Sequence, residues 1–290
     1  MNDVVAQVAL SFMEGVNFVI PGLYIMEAVP WLARLPGWIY PLPSAILNGT
    51  KHMQRYFAAL AKEAATEGTG DSFSKNLIAA QQEYGITDED ISSLTANMIG
   101  GGVDTTTSTT VTLILAMCVF QDVQRKAQEE LERVVGQRRM PEWSDEDSLP
   151  YIRAVVNEAL RWRTVTILGG IPHAPIRDDE YNGYLIPKDT AITGNLWAIH
   201  RNPRDFPDPD VFRPERFLDG LERPYPNKKG HNAFGWGRRQ CSGQPLAEQG
   251  LFITFARLIW AFKMEPGLDE KVSAYYKAIT DWKHLHSTGH

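Results

Sequence analysis

The sequence predicts a mainly α fold with small β-sheets, an α+β chain, and three features carry that expectation. Apolar residues recur at helical spacing through most of the first two thirds of the chain. Glycines, prolines and capping residues cut this region into separate helices. The stretch from about Thr164 to Pro187 has a mixed pattern that suits short strands.

Residues 1–43 contain a proline-broken apolar segment, PGLYIMEAVPWLARLPGWIYPLP at its end, which suits short packed or surface-seated helices. The apolar run from Val4 to Leu32 is interrupted by Glu14, Asn17, Pro21, Glu27 and Pro30, so it reads neither as a signal peptide nor as a membrane span. A helix from Pro43 to about Glu67 is expected to end at Gly68 and Gly70. Another, from about Ser72 to Tyr84, is expected to stop at Gly85. Thr87 opens a capping signature with Asp88, Glu89 and Asp90 in the first turn, and apolar periodicity continues to about Phe120. Unbroken, that helix is roughly 50 Å long at about 1.5 Å per residue. DVQRKAQEELERVVG and LPYIRAVVNEALRWR supply two further helices, the first amphipathic and charged.

The 290 residues, 43% hydrophobic and 22% charged, exclude a disordered or collagen-like chain. A net charge of -6 without a dense basic stripe argues against nucleic-acid binding. Cys118 and Cys241 are the only cysteines, which excludes a disulfide framework and a cysteine-rich zinc site and suits a reducing compartment. His52, His200, His231, His284, His286 and His290 show no metal-ligand spacing.

Three constellations carry chemistry. Phe234 to Gly243, FGWGRRQCSG, sets one cysteine in a glycine-punctuated loop just before a helix whose first turn holds Pro245. Glycines there permit close approach of backbone to a flat ligand, and helix N-terminal amides favour a thiolate. An isolated intracellular cysteine is usually a small buried hydrophobe. Arg238 and Arg239 favour an anionic cofactor instead, because adjacent guanidiniums do not suit an apolar pocket.

The second constellation is GGGVDTTTST, Gly100 to Thr109, inside the long helix. Glycine in a helix interior costs about 1 kcal/mol relative to alanine, so either a bulky ligand or a tight helix crossing must offset it. Thr105 can bond a carbonyl one turn back, near Gly101, and Asp104 sets a carboxylate beside it, a pair able to deliver protons to bound dioxygen. Thr106, Thr107, Thr109 and Thr110 read as helix-surface or packing residues. In the third constellation, Glu158 and Arg161 lie at i and i+3 among apolar neighbours, and Arg216 of FRPERF is a candidate further partner for a buried pair.

GGVDTT, EALR, PERF and the cysteine loop occur in that order, with IPHAP, GYLIPKDT and WAIHRNP between EALR and PERF, and together they resemble the cytochrome P-450 family of haem-thiolate monooxygenases. The resemblance covers about residues 10–268, and in style it is similar to fungal members that act on polyketides or other hydrophobic secondary metabolites. It implies a partial P-450 fold with a long central helix over the haem and a Cys-ligand loop before a helix. It implies haem b, with Cys241 as axial thiolate to iron, Arg239 and His173 as propionate contacts, Phe234, Gly101 and Gly102 lining the cofactor, and Asp104 with Thr105 as the proton relay. Glu158, Arg161 and Arg216 match the family's structural charge triad. Val165 to Gly170 resemble a substrate-facing strand region, and Ile199 to Asn202 a structural helix.

The implied partners are a hydrophobic small molecule, O2 and an NADPH-cytochrome reductase that docks near Arg125, Lys126, Lys228, Lys229 and Arg238. The full-length family form lies at the cytosolic face of the endoplasmic reticulum membrane. No transmembrane anchor is read in this chain. Residues 1–268 are then a P-450 domain lacking its N-terminal part, with 269–290 as an unmatched tail and the chain expected to hold haem incompletely by itself. A haem-thiolate isomerase or dehydratase and a non-catalytic fragment are the alternative readings. Asp104 and Thr105 speak against the isomerase.

Overall fold

A computed structural model describes residues 24–67, 70–218 and 230–267. The N-terminal part of the apolar segment, the expected stop at Gly68, Lys228, Lys229 and the tail 269–290 lie outside the described residues. The chain divides into two compact units, Met1–Thr105 and Thr106–His290.

The first unit opens with the short α1 (Ile25–Ala28) and a 3-10 turn over Pro30–Arg34, as its prolines require. The long α2 (Leu42–Thr66) follows, with proline in its first turn. The expected single helix after it is two, α3 (Phe73–Ala79) and α4 (Gln81–Tyr84), broken at Ala80. Ser72 caps α3 by accepting from the Lys75 N–H, and Gly85 closes α4 in the left-handed region at φ 61°. Next comes α5 (Asp88–Val119), which the unit boundary divides. Its start is a reciprocal capping box: the Asp90 N–H donates to Thr87 Oγ1 at 3.1 Å, and the Thr87 N–H donates to Asp90 Oδ2 at 2.8 Å. The Thr87 hydroxyl also donates to Asp90 Oδ2 at 2.7 Å, and this bond, with that from the Thr87 N–H, holds the Asp90 carboxyl below the usual range. Within this unit Ser74 and Thr95 hydroxyls share a buried 3.1 Å bond, and the Ser92 hydroxyl donates to the Gln54 carbonyl.

In the second unit α6 (Gln121–Val134), α7 (Pro150–Trp162) and α9 (Gln244–Ala261) enclose the main core. Met117, Leu131, Ile152, Val155, Phe252 and Phe255 are each at most 1% exposed there. Their burial supplies about 25 cal/mol per Å² of apolar surface, the largest contribution to holding these helices together. The N-terminus of α7 is capped from a distance, since the buried Glu130 carboxylate accepts the Tyr151 and Ile152 N–H groups at 3.0 Å each. A carboxylate at that position also complements the helix dipole. Between α7 and α9 the chain forms a small antiparallel hairpin, β1 (Asp179–Tyr181) with β2 (Tyr184–Ile186), and the short α8 (Leu196–Ile199). Asn182 and Gly183 make its turn with positive φ at both positions.

The described fold is thus mostly helical with one small sheet, as expected. Val165 to Gly170 is a correction. The Thr166 carbonyl accepts the Gly169 N–H at 2.9 Å and both Gly169 and Gly170 have positive φ, which closes a turn where a strand was expected. Among the described residues one helix, α5, is long and apolar enough to cross a membrane by length and composition.

Candidate functional site

The cysteine loop is shaped by its own backbone. Gly235 donates its N–H to the Asn232 carbonyl at 2.9 Å, and the Cys241 N–H returns to the Phe234 carbonyl at 2.9 Å. Between these anchors Gly235 and Gly237 turn with φ of 78° and 56°, conformations that a side chain would strain. A 3-10 turn over Gly237–Arg239 completes the loop, and α9 starts three residues after Cys241. The result is an exposed thiol at a helix N-terminus. Phe234 is half-buried and packs against the main core, fixing the loop's first residue.

Trp236 joins this loop to the segment carrying His173. A Cβ added at Gly194 would lie 2.5 Å from the Trp236 ring, and one at Gly169 would lie 3.1 Å from it. Two residues before Gly194, Ile192 exchanges both backbone hydrogen bonds with His173, at 2.9 and 2.7 Å. His173 itself is exposed, as is Arg239.

In the first unit, the Thr105 hydroxyl donates to the Gly101 carbonyl at 2.6 Å, the bond expected from its place in the helix. The helix stays continuous through it. Among the described residues a Cβ at Gly101 or Gly102 meets no atom within 4 Å. Asp104 and Thr105 are both partly exposed, Thr107 is exposed and Thr109 is buried. The Asp104–Thr105 pair and the cysteine loop belong to different units.

Glu158 and Arg161 are both fully buried and bonded twice, Nε to Oε2 and Nη2 to Oε1, at 2.7 Å each. Arg161 also donates to the carbonyls of His200 and Pro209 at 2.9 Å. Arg216 places Nε 3.4 Å from Glu158 Oε1, and the Arg213 N–H donates to the same oxygen at 2.8 Å. Burial outweighs the neighbouring Glu158 charge and brings the Arg216 guanidinium down to about 10, still protonated at neutral pH.

The expected basic docking face is modified by pairing. Arg125 is bonded to Glu129 and Lys126 to Glu215, each at 2.6 Å, so part of their charge is answered internally. Arg238 remains exposed.

The chain matches the family described as Cytochrome P450 over residues 3–279. The chain belongs to the cytochrome P450 family. It is 38% identical over 254 residues to cytochrome P450 monooxygenase 58 of Postia placenta, covering 85% of this chain and 48% of that protein. Cytochrome P450 monooxygenase 253 of the same fungus matches over the same shares. A cytochrome P450 monooxygenase of Armillaria gallica is 35% identical over 260 residues, 87% of this chain and 50% of its own length. The chain thus spans about half the length of the curated relatives it matches.

P450 proteins are haem-thiolate proteins, and the donors here fit that group. Among the described residues no three His, Cys, Asp or Glu side chains gather as a metal site, which leaves Cys241 as a single exposed thiol donor. A macrocycle would supply the remaining donors to such an iron. A Cβ at Gly243 would lie 3.7 Å from Cys241 Sγ, and Arg239, two residues before the thiol, is an exposed cation. Residues that motif spacing does not single out also contribute: His200, Arg213, Asn232, Gly194 and Trp236 link the charge cluster, the loop and the His173 segment.

Proposed function

We propose that this chain is part of a haem-thiolate monooxygenase that inserts one atom of O2 into a hydrophobic small molecule of fungal secondary metabolism. The observation that carries the reading is the Cys241 thiol, exposed on a backbone-bonded loop at the N-terminus of α9. Bound haem supplies dioxygen activation and oxygen transfer. The chain's own residues supply the setting for that chemistry. Cys241 is the thiolate ligand, and Phe234 holds the loop that presents it against the core. Arg239 pairs with a propionate as a charge-assisted donor, and His173 contacts another.

Gly101 and Gly102 leave room for the cofactor along α5. Asp104 and Thr105 hold and pass protons, the Thr105 hydroxyl being oriented by its bond to the Gly101 carbonyl. Glu158, Arg161 and Arg216 act on the fold and do not touch substrate. Electrons come from NADPH through a reductase that approaches the cysteine side at Arg238. The whole protein works at the cytosolic face of the endoplasmic reticulum membrane, and residues 1–268 lie in its P450 domain.

The test is turnover of hydrophobic candidate substrates under isotopically labelled O2 with NADPH and a reductase. Product carrying one labelled oxygen atom is expected. Product formed without O2 consumption would contradict the reading and favour an isomerase or dehydratase.

A further inference from the structure

We propose that His200 is a positioning residue for the cysteine loop, fixing the backbone that presents Cys241 to the buried Glu158–Arg161 pair. The inference rests on the reading of Cys241 as the ligand. His200 is wholly buried and is held from two sides. Its carbonyl accepts from Arg161 Nη1 at 2.9 Å, and its ring Nε2 accepts from the Asn232 N–H at 3.0 Å. The Asn232 carbonyl then accepts the Gly235 N–H, and the Phe234 carbonyl accepts the Cys241 N–H, each at 2.9 Å. A run of hydrogen bonds and short covalent links therefore connects the Glu158 carboxylate with the Cys241 amide through one imidazole.

The chemistry of the ring follows from its contacts. Nε2 accepts a hydrogen bond, so it carries no proton, and the neutral ring has its proton on Nδ1. Nδ1 is enclosed and meets no hydrogen-bond partner among the described residues. The polar groups facing the ring are His231, Arg161 and Arg201, with Phe206 packed edge-on at 6.1 Å between centroids. Burial, then the positive neighbours, push its pKa down to about 3, so the ring remains an acceptor across the range in which the protein works. Asn232 is itself only 5% exposed, and losing the Nε2 acceptor would strand its N–H without water. That strain would fall at the entrance to the loop, three residues before its first left-handed glycine.

The test is amide hydrogen exchange on the full chain, comparing His200→Phe, which removes the acceptor, with His200→Gln, whose terminal amide can restore it. Exchange in residues 231–241 of the Phe variant is expected to quicken by about tenfold or more while residues 150–162 keep their protection. The Gln variant should restore the loop. Unchanged loop exchange in the Phe variant would overturn the proposal, as would equal losses in both variants or losses spread equally over 150–162.

Nitrogen NMR of the unaltered chain gives an independent answer, including where the Phe variant fails to fold. A neutral Nδ1–H tautomer at pH 6 is expected, and an Nε2–H tautomer or an imidazolium would refute the assignment. Neither measurement needs haem. Failure here is thus distinguishable from failure of the Cys241 assignment, which the spectrum of a Cys241→Ser variant decides.

Discussion

Arg161 faces Glu158 in a two-bond fork, with both distances 2.7 Å and neither side chain exposed. A third charge, Arg216, and the Arg213 N–H share the same carboxylate. Taking away the carboxylate leaves two guanidiniums in the interior without their anion. Glu158→Ala should therefore cost about 3–5 kcal/mol, seen as a lower urea midpoint, and Glu158→Gln should cost less. An Ala variant that unfolds at the parent urea concentration would show that the cluster holds nothing together.

Acid should weaken the second unit through His200. Its folded pKa lies near 3, below the ordinary histidine value of 6.5. Between those values the unfolded chain takes up a proton that the folded chain refuses, so stability falls as pH drops. The slope attributable to this group is roughly 1.4 kcal/mol per pH unit at most. His200→Gln should flatten the stability profile between about pH 6 and pH 4. A profile of unchanged slope in that variant would assign the acid sensitivity to other groups.

Trp236 and Gly194 should behave as a lock. A methyl group at Gly194 would meet the indole at 2.5 Å, so the ring or the backbone it sits on has to shift. Gly194→Ala should destabilise the chain by about 1–3 kcal/mol and change Trp236 fluorescence. Trp236→Leu in the same chain should recover part of that loss. Additive effects of the two changes would mean that the residues are not coupled.

How far the sequence determines these features differs by element. Thr87 and Asp90 announce the start of α5 because capping is local chemistry, and Gly85 marks the end of α4 because its φ of 61° disfavours a side chain. The break at Ala80 has no such marker: AAQQEY contains neither glycine nor proline. Asn182-Gly183 carries a hairpin signal, yet three-residue strands are too short to show alternation. Around the candidate site, Glu158, Arg161 and Cys241 are legible from motif spacing. His200 escapes such a reading because its spacing from other histidines suggests no metal, whereas its partners Arg161 and Asn232 lie 39 and 32 residues away in sequence. Only the fold brings them together.

Thr105→Ala should leave haem and substrate binding intact and divert reducing equivalents from product to peroxide. On the proposed relay the hydroxyl enters only when protons are delivered, so the ratio of product to NADPH consumed is the quantity to follow. A ratio equal to that of the parent would remove Thr105 from the relay.

On the proposed function, Cys241 is the thiolate that would hold the iron. The most direct measurement is the absorption spectrum of the reduced, carbon monoxide-treated, haem-loaded protein beside its Cys241→Ser variant. The parent should show the strongly red-shifted Soret band of a thiolate-ligated haem, and the variant should lose it. The same red-shifted band in both proteins would contradict the claim and transfer the role to another ligand.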